Sequence, residues 1–135
     1  MLWLRVFPLL TAPFALYLLM ALGGGDAVAS GHAPLLQMHM ATGSLLMLNG
    51  GDIVSVVTVL ALALDFGATA NSDATSIVRL CLDGGLAVLF VLLLLLVSKF
   101  ATASFLLLTI AALLEFMVGA AIMAVSARRD VSYAR

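Results

Sequence analysis

An all-α integral membrane protein, a four-helix bundle running up-down-up-down with short loops, is the fold this sequence predicts, and three observations predict it. The chain is 64% hydrophobic with a mean hydropathy of +1.25, whereas soluble domains run near half apolar and a quarter charged. Only 10% of it is charged, too little to clothe a water-facing surface, so lipid must solvate most of the chain. Four apolar stretches each reach about 20 residues, the length that crosses a core of about 30 Å at about 1.5 Å per residue. A closed β-barrel is the other way to satisfy every backbone group in lipid, but these runs show no period-two alternation.

The expected spans cover about 2–22, 44–66, 77–98 and 102–126 of a single transmembrane domain, residues 1–135. Arg5 opens the first, which contains Pro8 and Pro13. Pro8 falls where a first turn tolerates it, and Pro13 is expected to kink the span. Gly23-Gly24-Gly25-Asp26 provides a glycine stop. A secretory signal is the rival reading of residues 1–29, with Arg5 as its charged region, Val6 to Leu22 as its apolar region and Ala27-Val28-Ala29 as a cleavage site. Two interior prolines and an overlong apolar run weigh against it. The link Gly67 to Ser76 is polar, with Asp73 or Ser76 as expected caps for the third helix. That helix carries the densest apolar block, Leu86 to Val97, expected to face lipid, and a tight turn at Lys99 to Thr102 leads to the last one. Links this short make helices two, three and four neighbours.

Orientation follows from the basic residues, because cytoplasmic flanks carry the excess of Lys and Arg. Arg5, Arg79, Arg128, Arg129 and Arg135 fall on one side of a four-span layout, and Lys99 alone falls on the other. Both termini are therefore expected in the cytoplasm. A net charge of −1 argues against a nucleic-acid or acidic-substrate partner, since such binders need a basic patch. The lone Cys81 excludes an intrachain disulfide or a CxxC site and is expected to be a small packing residue.

Four acids lie in or beside apolar runs: Asp52, Asp65, Asp83 and Glu115. An ionisable group in hydrocarbon costs several kcal/mol, so each should face the bundle and be paired or protonated. Small and polar residues recur at helical spacing on two faces: Ala112, Glu115, Gly119, Ile122 and Ser126 in the last helix, and Ser44, Leu48, Gly51, Ser55, Thr58, Leu62 and Asp65 in the second. Asp65 and Asp83 are expected to form structural ion pairs with Arg5 and Arg79, the last being i, i+4 from Asp83. Glu115, at mid-depth, is expected out of reach of any base and hydrogen-bonded to Ser55 or Thr58. The sharper expectation is a relay of Asp52, Glu115 and Asp83 for protons or cations, as in transporters.

The loop after the first span holds His32, Met38, His39 and Met40. Imidazole with thioether suits Cu(I), yet a chain with seven methionines uses Met as apolar filler. Metal binding is a weak candidate there, and no cofactor is expected. No second in-span histidine pair exists for a bis-histidine haem. No phosphate loop, HExxH or GxSxG is present, so no enzyme is expected.

Gly51-Asp52 opening a long apolar run, an acid followed by Ala68-Thr69, Ser76-Ile77, Ala103-Ser104-Phe105 through Leu108-Thr109, and Ala127-Arg128-Arg129-Asp130 occur in an order that resembles a family of small, functionally uncharacterised four-span bacterial inner-membrane proteins. The resemblance covers roughly Gly51 to Asp130 and departs over Gly23 to Gly50. It implies four spans and a cytoplasmic C-terminus in an inner membrane, and no activity. The reading that results is an accessory or scaffold subunit of a membrane assembly, bound by lipid and by a membrane-protein partner or a second copy of itself. The alternative is a proton- or ion-coupled channel or carrier using the intramembrane carboxylates. Copper or haem binding on the outer face is the second alternative.

Overall fold

Residues 8–23, 34–70 and 77–133 are described by the computed structural model, with side chains over 8–23, 34–67 and 77–125. They form α1 (Thr11–Gly23), β1 (Pro34–His39), β2 (Leu45–Asn49), α2 (Gly50–Ala70), α3 (Ile77–Leu96), a single 3₁₀ turn (Ser98–Phe100) and α4 (Ala103–Tyr133). Three helices, α2, α3 and α4, are long and apolar enough to cross a membrane.

The first helix starts later than its apolar composition suggests. The Thr11 and Ala12 N–H groups donate to the Pro8 and Leu9 carbonyls, closing a turn that leads into the helix. Pro13 then falls in the first turn of α1, where a proline's missing N–H costs little. It starts the helix and does not kink a span. With 13 residues, α1 is about 20 Å long, and the start of the expected 2–22 crossing lies outside the described residues. So do Arg5, His32, the caps Asp73 and Ser76, and the cleavage motif at 27–29.

The second span is corrected at its beginning, and the fold is not wholly helical. Leu45–Asn49 pairs antiparallel with Pro34–His39, matching Leu36 with Leu48, Gln37 with Met47, Met38 with Leu46 and His39 with Leu45. Met40 and Gly43 close the connecting turn: the Met40 N–H donates to the Ser44 carbonyl and the Gly43 N–H to the Met40 carbonyl, both at 2.9 Å. Gly43 has φ of 80°, a left-handed value that glycine adopts without a Cβ penalty and that such three-residue hairpin loops require. Helix α2 follows at once. The Asn49 N–H donates to Asp52 Oδ2 at 2.9 Å, an acid in the first turn where the helix dipole favours it.

The last helix is the centre of the assembly. Both α3 and α2 pack closely against α4, and α1 lies against α2 and α4. Two glycines set the closeness of α3 to α4. A Cβ on Gly84 would come within 2.9 Å of the Phe116 ring, and one on Gly119 within 3.2 Å of Leu80 Cδ1. Of the three long helices α3 is the least buried, and its outward row Val88, Leu89, Leu92, Leu95 and Leu96 is exposed. Cys81 is exposed on the same helix and so is no packing residue. At 31 residues, α4 is about 46 Å long, overshooting a bilayer core by more than two turns at its C-terminal end.

The core at the hairpin end is aromatic. Phe105 stacks at tilted angles with Phe100, Tyr17 and Phe90, at centroid distances of 4.8, 5.2 and 5.7 Å, and Phe14 lies 4.7 Å from Phe90. Tyr17 is fully buried yet satisfied, its hydroxyl donating to the Lys99 carbonyl at 3.1 Å and lying 3.0 Å from Thr102 Oγ1. Thr102 also caps α4, accepting the Phe105 N–H at 3.2 Å. The Phe105→Ala variant is expected to lose about 2–3 kcal/mol in reversible unfolding from mixed micelles. That is the low end for large-to-small changes, because lipid tails solvate an exposed ring nearly as well as a core does. Leu106→Ala, on the exposed side of the same turn, should lie within about 0.5 kcal/mol of wild type, and equal losses at the two positions would show that the rings are not the packing centre.

Candidate functional site: one guanidinium among three carboxylates

Opposite the aromatic end, three helices converge on polar groups. Asp65 stands near the end of α2, Arg79 and Asp83 in the first two turns of α3, and Glu115 midway along α4. The three carboxylates are almost wholly buried, Asp65 and Glu115 at 4% and Asp83 at 3% exposure. The Arg79 side chain between them is 12% exposed.

The guanidinium links all three helices. Arg79 Nη2 donates to both carboxylate oxygens of Asp65. The same nitrogen lies 3.5 Å from Glu115 Oε1, and Nε lies 3.8 Å from Asp83 Oδ2, one turn along α3. The pair with Asp65 is therefore a charge-assisted hydrogen bond, while the other two contacts are ionic only. Glu115 is thus not beyond the reach of a base, as its depth along the helix suggests. The close approach of α3 to α4 at Gly84 and Gly119 carries the arginine stem across to it.

Helix two does not supply the expected hydroxyl partner. Ser55 Oγ donates to the Gly51 carbonyl at 2.9 Å and Thr58 Oγ1 to the Val54 carbonyl at 2.8 Å, both satisfying their own helix. The expected relay is also broken. Asp52 is exposed at the other end of α2, 13 residues and about 20 Å from Asp65, and it caps the helix.

Not all the oxygens of the cluster are satisfied. Asp83 Oδ1 and Glu115 Oε1 are buried without a hydrogen-bond partner, and both residues line a cavity of about 10 Å³ with Asp65, Arg79, Val118 and Gly119. That is room for about one water. Among the described residues, three carboxylates share one guanidinium there. Ionised together they would leave two negative charges in a low-dielectric interior, which is costly unless a proton or another cation accompanies them.

Neighbours in a strand point to opposite faces, so Met38 and His39 fall on opposite faces of the hairpin. His39 shares its face with Met47, through the Gln37–Met47 and His39–Leu45 pairs. Among the described residues, no group of three His, Cys, Asp or Glu side chains is placed to hold a metal ion.

Removing Arg79 strands three buried acids, so the Arg79→Met variant is expected to lose about 3–5 kcal/mol, as when one partner of a buried pair is deleted. Neutralising the acids in the same chain, with Asp65→Asn, Asp83→Asn and Glu115→Gln, should restore most of that loss. A fourfold variant as unstable as Arg79→Met alone would mean that the arginine stem, and not its charge, is what matters. Compared with known protein families, curated proteins and solved structures, the chain matches none, so the cluster and the bundle around it are the ground on which a function can be argued.

Proposed function

We propose that this is a small multi-pass membrane protein that works by association, as an accessory or scaffold subunit of a membrane assembly, and not by catalysis. The observation that carries the reading is the division of the bundle interior. At one end Arg79 ties α2, α3 and α4 together through carboxylates from each. At the other, the rings of Phe14, Tyr17, Phe90, Phe100 and Phe105 fill the space between the helices. An interior locked at one end and plugged at the other is suited to present fixed helix faces to a neighbour. The membrane is proposed to be a bacterial-type inner membrane with both termini cytoplasmic. Arg79 lies at the same end as Arg128 and Arg129 of α4, and Lys99 lies at the other, which is the charge bias such an orientation requires.

A second reading has its own observation. Three acids around one base, with two buried oxygens that lack a hydrogen-bond partner beside a water-sized cavity, are what a site for a proton or a monovalent cation would contain. A proton- or ion-coupled carrier would use Glu115 and Asp83 to hold the ion and would have to part the aromatic plug to release it across the membrane.

One substitution separates the two. Glu115→Gln keeps the shape and the hydrogen-bonding capacity of the side chain and removes its charge. As a scaffold, the variant should still be recovered from mild-detergent extracts with the same stoichiometric membrane-protein partner as wild type, and neither should carry protons in liposomes. Wild-type proton flux that disappears in Glu115→Gln, together with recovery of the protein free of any partner, overturns the scaffold reading in favour of the carrier.

A further inference from the structure

The hairpin is the one described element that neither the ionic lock nor the aromatic plug uses. Its sequence carries no Asp, Glu, Lys or Arg anywhere between Asp26 and Asp52. The strand register sorts its side chains into unlike faces. Leu36, Met38, Leu46 and Leu48 fall on one face, and Gln37 and His39 fall on the other with their partners Met47 and Leu45. The uniformly apolar face is open, with Leu36 at 50%, Met38 at 53% and Leu46 at 40% exposure.

We propose that this hairpin lies in the headgroup layer of the membrane, with its Leu36, Met38, Leu46 and Leu48 face turned toward the acyl chains. The inference rests on the membrane reading above. Continuity names lipid as the occupant. Strand β2 ends at Asn49 and helix α2 begins at Gly50 with no intervening residue, so the hairpin is joined directly to the end of a helix whose exposed Val56, Val59, Leu60 and Leu64 the membrane reading places in lipid. Strands of six and five residues reach only about 20 Å at about 3.3 Å per residue, which keeps the whole hairpin near the bilayer surface. Depth is limited from the other side by the backbone. A two-stranded sheet has two open edges, and unpaired N–H and C=O groups are not tolerated in the hydrocarbon core. Water in the headgroup layer satisfies them there, along with Gln37, His39 and the Thr42 and Ser44 hydroxyls, which lie 2.9 Å apart at the turn. A uniformly apolar face backed by a mixed face, where Gln37 and His39 stand beside Leu45 and Met47, on an element with no Asp, Glu, Lys or Arg, suits such an interface.

Tryptophan fluorescence in vesicles of brominated phospholipid tests this directly. Trp3 is the single tryptophan, so a Trp3→Phe background carries one probe at a time: Met38→Trp, His39→Trp, or Leu89→Trp on the exposed row of α3. The α3 probe should be quenched best by bromines deep in the acyl chains; if it is not, the membrane reading itself fails, and the hairpin inference falls with it. With the α3 probe quenched, the Met38→Trp probe should be quenched best by bromines near the headgroups, and about twice as strongly as the His39→Trp probe, since alternate strand residues face opposite ways. Equal quenching at 38 and 39, no quenching at 38, or strongest quenching at 38 by the deep bromines overturns the proposal. A second copy is the other possible occupant of the face. In a Cys81→Ser background, a Met38→Cys variant that oxidises to a disulfide dimer in dilute vesicles would assign the face to that copy and overturn the lipid proposal.

Discussion

A guanidinium buried among apolar helices is tolerated only if its donors find acceptors, and the positions of those acceptors dictate how the helices sit. Arg79 meets Asp65 from α2, Asp83 from its own helix and Glu115 from α4. Each contact fixes the rotation of the helix that supplies it. This matters more in lipid than in water, since helices there gain little from burying apolar side chains against one another, and close contact and polar bonds decide the packing. The glycines at 84 and 119 belong to the same constraint. A Cβ at either position would press on the Phe116 ring or on Leu80 Cδ1, so the open glycine faces favour the close approach of α3 to α4 at which the arginine bridges to Glu115.

How much of this could be read from residues alone depends on what a helix axis reveals. The acids and the small-residue stripe of the last helix were legible, because steps of three and four place Ala112, Glu115 and Gly119 on one face. The pairing of Asp65 with a base was legible too, since a buried acid requires one. That Arg79 also reaches Glu115 was not, because depth counted along a helix locates the Cα and ignores a long stem that carries the charge away from it. Ser55 and Thr58 invited assignment as partners for Glu115. Their hydroxyls instead close back on carbonyls one turn earlier, an option open to any serine or threonine within a helix.

The hairpin was hidden by a general ambiguity. A short apolar run does not reveal whether it is strand or helix, and Leu45–Asn49 runs straight into the apolar start of α2, so the two read as one span. The signal that separates them is Thr42-Gly43, where glycine supplies the positive φ that turns the chain. Apolar length was equally misleading at the N-terminal side, where Pro13 marks a beginning and not a bend.

The two ends of the bundle differ in what they can do. The rings at one end pack at 4.7–6.3 Å and hold no charge, and the Tyr17 hydroxyl among them is satisfied by the Lys99 carbonyl and Thr102. The Arg79 end contains more acid than a lock needs. Asp65 already takes two bonds from Nη2, and a lock of one base and one acid would be neutral and cheaper to bury. Asp83 and Glu115 add two further carboxyls whose charge, once buried, a proton or another cation must offset, and both line the water-sized cavity. The same four residues can therefore serve as frame and as site. A scaffold needs the Arg79–Asp65 bond and tolerates the loss of Glu115's charge, whereas ion coupling needs that charge and needs the aromatic barrier to open.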